Sequence, residues 1–303
     1  MKSSQITNRS KMRSKFIHLL IIISLLPVLF SCRKEHAVND VNQRVANLSI
    51  DDVEVFSDLI NYQNDYDSLF QHPFFNFLKN LHKDYGLVVT LYTYELLDND
   101  NVTLKEMPLK YKNDFRKASD WLRIGFHSKR HEFDSLISVA DFHDSYNNVN
   151  SAISQFADSS MIAKTLRFHY FFAPDSLLNG LPGVGTLLCA DNKNRMSYNL
   201  TPHEALTVAN NGGIVKNNIT YRRTDLRIDD NYRILFDLKL LDSSDTLVVF
   251  AHQWKLYHIR KGDSRQSAAG KIKVWTKESF NRLLFKETVK RLYNSGYKFS
   301  FLE

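Results

Sequence analysis

The chain has 303 residues, of which 43% are hydrophobic, 24% charged and 13% aromatic. That is a globular composition, and it excludes disordered, collagenous and low-complexity architectures. Forty Lys and Arg against 33 Asp and Glu give a formal charge of +7, which taken whole leaves a nucleic acid or anionic surface open as a partner, while two cysteines, Cys32 and Cys189, exclude a disulfide framework.

The charge is concentrated at the start. Residues 1–31 carry Lys2, Arg9, Lys11, Arg13 and Lys15 and no acid. An apolar run from Phe16 to Phe30 follows, broken by His18, Ser24 and Pro27. It is shorter than the roughly 20 residues that span a bilayer. A basic start, a short apolar run and a small residue before a cut describe a secretory signal over 1–31. Leu29-Phe30-Ser31-Cys32 resembles a bacterial lipobox. The resemblance implies lipidation of Cys32 and a membrane-held lipoprotein at the cell envelope. Phe30 departs from the strictest pattern, and a plain signal or anchor with a chance cysteine is the other reading. Five of the 40 basic residues lie in 1–31, so without it 35 remain against 33 acids, about +2. No basic stripe with interleaved aromatics stands out there, and a nucleic acid partner is not expected. Residues 32–46 are polar and read as a tether to a catalytic domain at 47–303.

Along that domain, Leu48–Ile50 reads as a short strand running into Asp51-Asp52. The apolar spacing of Gln71–Tyr85 predicts a helix with Gly86 as its C-cap. Leu87–Tyr94 is β-branched and aromatic, a strand. Helices are expected at Tyr111–Ser119, His131–Ala140 and Lys277–Tyr293. Strands are expected at Trp121–Phe126, Thr165–Phe168, Val184–Cys189, Leu247–Ala251 and Tyr297–Phe301. Thr220–Ile228 and Tyr232–Leu241 would pair as a hairpin, inserted near 214–245. Strands alternating with helices predict an α/β fold built of βα units around a parallel sheet or barrel.

In such folds the chemistry sits where strands end. Asp51 and Asp52 follow the first strand and His127 the third. His131 comes four residues later, on the same face if that segment is helical, as metal chelation needs. Arg167, Asp191 and His252 follow the next strand ends. Each has a plain alternative: paired aspartates cap helices, a His-x-x-x-His pair arises by chance among 11 histidines, Arg167 serves a salt bridge, and His252 packs in a core. Their ordered recurrence favours a site.

Ser49-Ile50-Asp51-Asp52-Val53, His127-Ser128-Lys129-Arg130-His131, Arg167-Phe168-His169-Tyr170 and Phe250-Ala251-His252 together resemble the motifs of the polysaccharide deacetylase family, with its NodB-type homology domain (carbohydrate esterase family 4). The resemblance spans about 47–260. It departs at His169, where the family has proline, and in the fourth motif, which lacks a clear Asp-Trp. Asp191 fits that place best by order, with Asp225 next.

The resemblance implies a distorted (β/α)7 barrel and a metal-dependent deacetylase of a carbohydrate or polysaccharide, with N-acetyl favoured over O-acetyl. It implies that Asp52, His127 and His131 hold a divalent metal, for which carboxylate and imidazole suit zinc. Asp51 would be the general base, held by Arg167. The Tyr170 backbone N–H would stabilise the oxyanion. His252, supported by Asp191, would protonate the leaving amine. Trp254 and Tyr170 are candidate walls for a sugar, or core rings. A second class stays open, a divergent homologue that binds glycan or serves as a surface accessory. A metalloprotease is disfavoured because no His-Glu-x-x-His occurs.

Overall fold

The computed structural model describes residues 43–191, 197–229, 245–259 and 268–302. The expected signal segment, Cys32, most of the expected tether and the expected arm Tyr232–Leu241 lie outside the described residues. Among the described residues no helix is long and apolar enough to cross a membrane.

Among the described residues twelve strands run in chain order: β1 Val45–Val53, β2 Val89–Tyr94, β3 Leu96–Leu97, β4 Val102–Thr103, β5 Leu122–Ser128, β6 Thr165–Leu166, β7 Thr186–Leu188, β8 Gly213–Lys216, β9 Ile219–Arg222, β10 Leu226–Arg227, β11 Thr246–His252 and β12 Lys298–Phe299. The main sheet has the order β10-β11-β1-β2-β5, with β12 against the start of β1, and every pairing in it is parallel. A second sheet runs β6-β7-β9-β8, in which only β8–β9 is antiparallel. Helical crossovers make the parallel pairings, as in Pro73–Tyr85 between β1 and β2. The expected α/β class is what forms.

β1 shows why this fold builds a site. Ala46, Leu48 and Ile50 alternate with Asn47, Ser49 and Asp51, and all six are buried. Alternation usually means a half-solvated strand. Here parallel neighbours lie on both edges and the polar face points inward. The strand is therefore longer than Leu48–Ile50, starting inside the expected tether and carrying both aspartates within it.

Local chemistry sets the element ends. Pro73–Tyr85 is capped by His72, whose Nδ1 accepts from the Phe74 N–H, and it ends at Gly86 with φ 66°. The helix expected at His131–Ala140 does not form. Ser138 instead caps a helix at Val139–Phe156, its side chain accepting from the Asp141 N–H. Phe142, Tyr146, Val149, Ile153 and Phe156 form its buried stripe. His127 is therefore in a strand and His131 in the following bend, not on one helix face. A hairpin forms within residues 213–222. β8 and β9 pair through Asn217-Asn218, both at positive φ, while the expected strand Thr220–Ile228 divides between β9 and β10, which belong to different sheets. Asn at both turn positions favours that two-residue hairpin.

Candidate metal centre

The carboxyl ends of β1, β2, β5 and β11 lie at one edge of the main sheet, where open α/β folds place ligands. They open into a cavity of about 520 Å³ whose lining includes Asp51, Asp52, His127, His169, His252 and Trp254.

Asp51 and Asp52 are adjacent yet point to different partners. Asp51 stays in register opposite His252 of β11. The β1–β2 register shifts between Ile50 and Val53, and Asp52 takes φ 55°. Such a bulge re-aims one side chain, and Asp tolerates the left-handed region better than most residues.

Three donor atoms converge behind that bulge. Asp52 Oδ1 lies 3.2 Å from His127 Nε2 and 3.3 Å from His169 Nδ1, and the two ring nitrogens are 3.3 Å apart. The opposite nitrogen of each ring faces a carbonyl: His127 Nδ1 that of Arg167 at 2.5 Å, His169 Nε2 that of His131 at 2.9 Å. A carbonyl only accepts, so those nitrogens carry the protons. Neutral imidazoles then turn bare lone pairs toward Asp52, the outer arrangement that fixes the tautomer of metal-binding histidines. The edge of a tetrahedron with ligands at ~2.0–2.1 Å is about 3.3 Å. The donor set thus fits a divalent cation in both chemistry and spacing.

Electrostatics agree. Burial lowers the His169 pKa, opposed by its bond to Asp52, and so favours the neutral ring. Burial alone would raise the Asp52 pKa, but its interactions with His127, His169 and His252 hold the carboxyl far below the usual range.

The remaining residues flank this triangle. Arg167, fully buried, donates from Nη1 to Asp51 Oδ2 at 3.2 Å and from Nη2 to Thr224 Oγ1 at 3.0 Å, and its guanidinium lies 4.2 Å from the Phe250 ring centre. His252 is bound through Nδ1 to Asp229, whose carboxylate also accepts the His252 N–H. Burial would lower its pKa, but Asp229 and the charges of Asp51 and Asp52 raise it. Trp254, 42% exposed at the rim, donates from Nε1 to Asp52 Oδ2 at 3.2 Å. Tyr170 is half exposed at φ 54°, its ring 4.8 Å from Phe133.

No family model and no curated protein sequence matches this chain. Solved structures do. It is similar to the 4-α-glucanotransferase of Thermococcus litoralis, with TM-score 0.50 and 12% identity over 85% of this chain and 39% of that one. It is similar to the peptidoglycan deacetylase PdaC of Bacillus subtilis, with TM-score 0.43 and 14% identity over 86% of this chain and 89% of that one. It is similar to a family 4 pseudoenzyme of Bacillus anthracis, with TM-score 0.41 and 12% identity over 85% and 63%. The chain spans about two fifths of the glucanotransferase, and the likeness to it is one of fold. Other solved structures it resembles are also described as deacetylases.

Against the sequence reading, Asp51, Asp52, Arg167, His127, His252 and Trp254 come together at one cavity. His131 lines the same cavity but stands outside the donor triangle, offering its carbonyl to His169 and its Nδ1 to Tyr94 Oη at 3.5 Å. Asp191 is exposed at the cavity wall, and Asp225 is spent on Arg223 and on the Val248 N–H at 2.8 Å. Neither supports His252. Asp229 does, because parallel β10 delivers it beside the end of β11. His169 and Asp229 were the missed residues. His169 had a signal, since it replaces the motif's proline. Asp229 had none, its place being set by sheet register.

Proposed function

We propose that this chain is a metal-dependent hydrolase that removes acetyl groups from a carbohydrate or polysaccharide, N-acetyl in preference to O-acetyl. The observation that carries this reading is the convergence of the Asp52–His127–His169 triangle with Asp51–Arg167 on one side and His252–Asp229 on the other. A divalent metal held by those three residues supplies Lewis acidity, for which zinc suits the N₂O donor set.

The chain's own groups divide the rest of the work. Asp51, held by Arg167, takes the proton of the attacking water as the water oxygen bonds to the acetyl carbon. The Tyr170 backbone N–H faces the developing oxyanion. His252, whose cationic form Asp229 favours, gives its Nε2 proton to the amine nitrogen as the C–N bond breaks. Trp254 and Tyr170 wall the cavity for a sugar ring. The polysaccharide deacetylases among similar structures support the substrate class, as do the motif residues gathered here.

The test is acetate release from N- and O-acetylated glycans by purified protein with zinc supplied. Release from an N-acetylated glycan, lost in Asp51→Asn, supports the reading, whereas no release from any of them overturns it. The position of His131 outside the triangle favours a second reading, a glycan-binding homologue without turnover. Glycan binding without acetate release would establish it. An envelope location through lipid on Cys32 is part of the proposal, supported by residues 1–32 and tested by mass spectrometry of the mature chain.

A further inference from the structure

Two adjacent carboxylates in one cavity must do different work, and their partners differ in charge. Asp51 is bound by a cation, Arg167. Asp52 receives two neutral donors, the Tyr94 hydroxyl on Oδ1 at 2.5 Å and the Trp254 indole N–H on Oδ2 at 3.2 Å. A hydrogen-bonded cation would compensate the carboxylate and repel a dication placed beside it, whereas the cationic ring nearest Asp52, His252, keeps its Nε2 3.8 Å from Oδ2, beyond hydrogen-bond reach. Neutral donors orient the group while leaving its charge for the metal.

Tyr94 is built into this position. It ends β2, is fully buried, and its ring centre lies 5.5 Å from that of His127, 5.4 Å from His169 and 5.8 Å from His131. The β2–β5 register shifts at Tyr94, beside the shift that turns Asp52. Its oxygen is also 3.3 Å from His169 Nδ1.

We infer that Tyr94 is the positioning residue of the metal centre, which together with Trp254 locks the Asp52 carboxylate so that Oδ1 faces the two imidazoles as a single-oxygen ligand. The inference rests on the metal-dependent reading above. It adds a residue that the motif resemblance does not contain, and it gives the strand pattern Tyr92-x-Tyr94 a purpose beyond packing.

The test needs no substrate. Metal-free wild type, Tyr94→Phe and Trp254→Phe are titrated with zinc, and each is loaded with cobalt(II) for its visible spectrum. Tyr94→Phe keeps the ring and removes only the hydroxyl. It is expected to bind zinc about 10- to 100-fold more weakly and to show a shifted cobalt band as the carboxylate re-orients. Trp254→Phe, at the exposed rim, is expected to weaken zinc less and to move the cobalt band in the same sense. It keeps the question decidable if Tyr94→Phe fails to fold. Wild-type zinc affinity and an unchanged cobalt spectrum in both variants overturn the inference while leaving the metal reading intact. Absence of zinc binding in wild type overturns both.

Discussion

At position 169 an imidazole stands where the resembled motif has a proline, and its Nδ1 joins Asp52 and His127. His131, the residue the motif would make a ligand, contributes its carbonyl instead. We therefore expect Asp52→Ala, His127→Ala and His169→Ala each to abolish zinc uptake and hydrolysis together, and His131→Ala to retain zinc at full stoichiometry, as read by elemental analysis. Full metal occupancy in His169→Ala would return the role to His131. At the acid end of the site, His252→Ala should slow turnover by roughly 10²–10⁴ with metal content unchanged. Because the Asp229 hydrogen bond raises the His252 pKa against burial, and the cationic ring is the working form, activity falls as pH rises through that pKa. Asp229→Asn should move this alkaline limb to lower pH, which a kcat–pH profile measures directly. How much of this was legible follows residue by residue. Asp51, Asp52, His127, Arg167 and His252 carry motif spacing. His169 was visible as a departure from the motif. Tyr94 looked like any strand aromatic, because hydrogen-bond partners 42 residues apart leave no mark on local sequence.

The elements position these side chains through close packing that sequence pattern only hints at. Gly125 of β5 lies against the Tyr92 ring: a Cβ there would sit 2.8 Å from Tyr92 Cε1 and 3.1 Å from Ala163 Cβ. Gly125→Ala should cost about 1–3 kcal/mol in denaturant unfolding, and it should also weaken zinc binding, because Tyr92 shares a strand face with Tyr94 and stacks on His127. Gly86 closes Pro73–Tyr85 in the left-handed region with open space around it, so Gly86→Ala should cost only about 1–2 kcal/mol, from backbone strain alone, without touching the site. The Pro73–Tyr85 helix and β2 were readable because their apolar spacing and caps are local. The helix at Val139–Phe156 was not anticipated, since Asp, Asn and Ser between its apolar positions look like a loop until the stripe meets β5. The loop from Lys129 to Ser138 owes its shape to that late start, and it carries His131 off the helical geometry.

For the whole molecule, the site is a consequence of topology more than of any one loop. The main sheet sits in an extensive buried apolar core and does not need a metal to hold it. Chelator-treated protein should keep its far-UV circular dichroism, and zinc at 100 times its Kd should raise Tm by roughly 5–10 °C, corresponding to about 2.7 kcal/mol. Asp52→Ala should lack that zinc response. Cys189 is buried and without a disulfide, its thiol pushed up to about 12 by burial, so thiol reagents should leave the native protein unmodified.

The amino-acid sequence by itself determined the α/β class and much of the site's chemistry, because strand composition, helix spacing and motif residues are local properties. It also places five of the seven net positive charges in residues 1–31, leaving about +2 on the rest of the chain. Only the tertiary structure decided which histidine completes the donor triangle, which aspartate serves His252, and which neutral donors hold Asp52. Those choices depend on register between strands far apart in the chain. A shift of one residue at the β1 bulge is enough to turn two neighbouring carboxylates toward different partners, Asp51 to Arg167 and Asp52 to the two imidazoles.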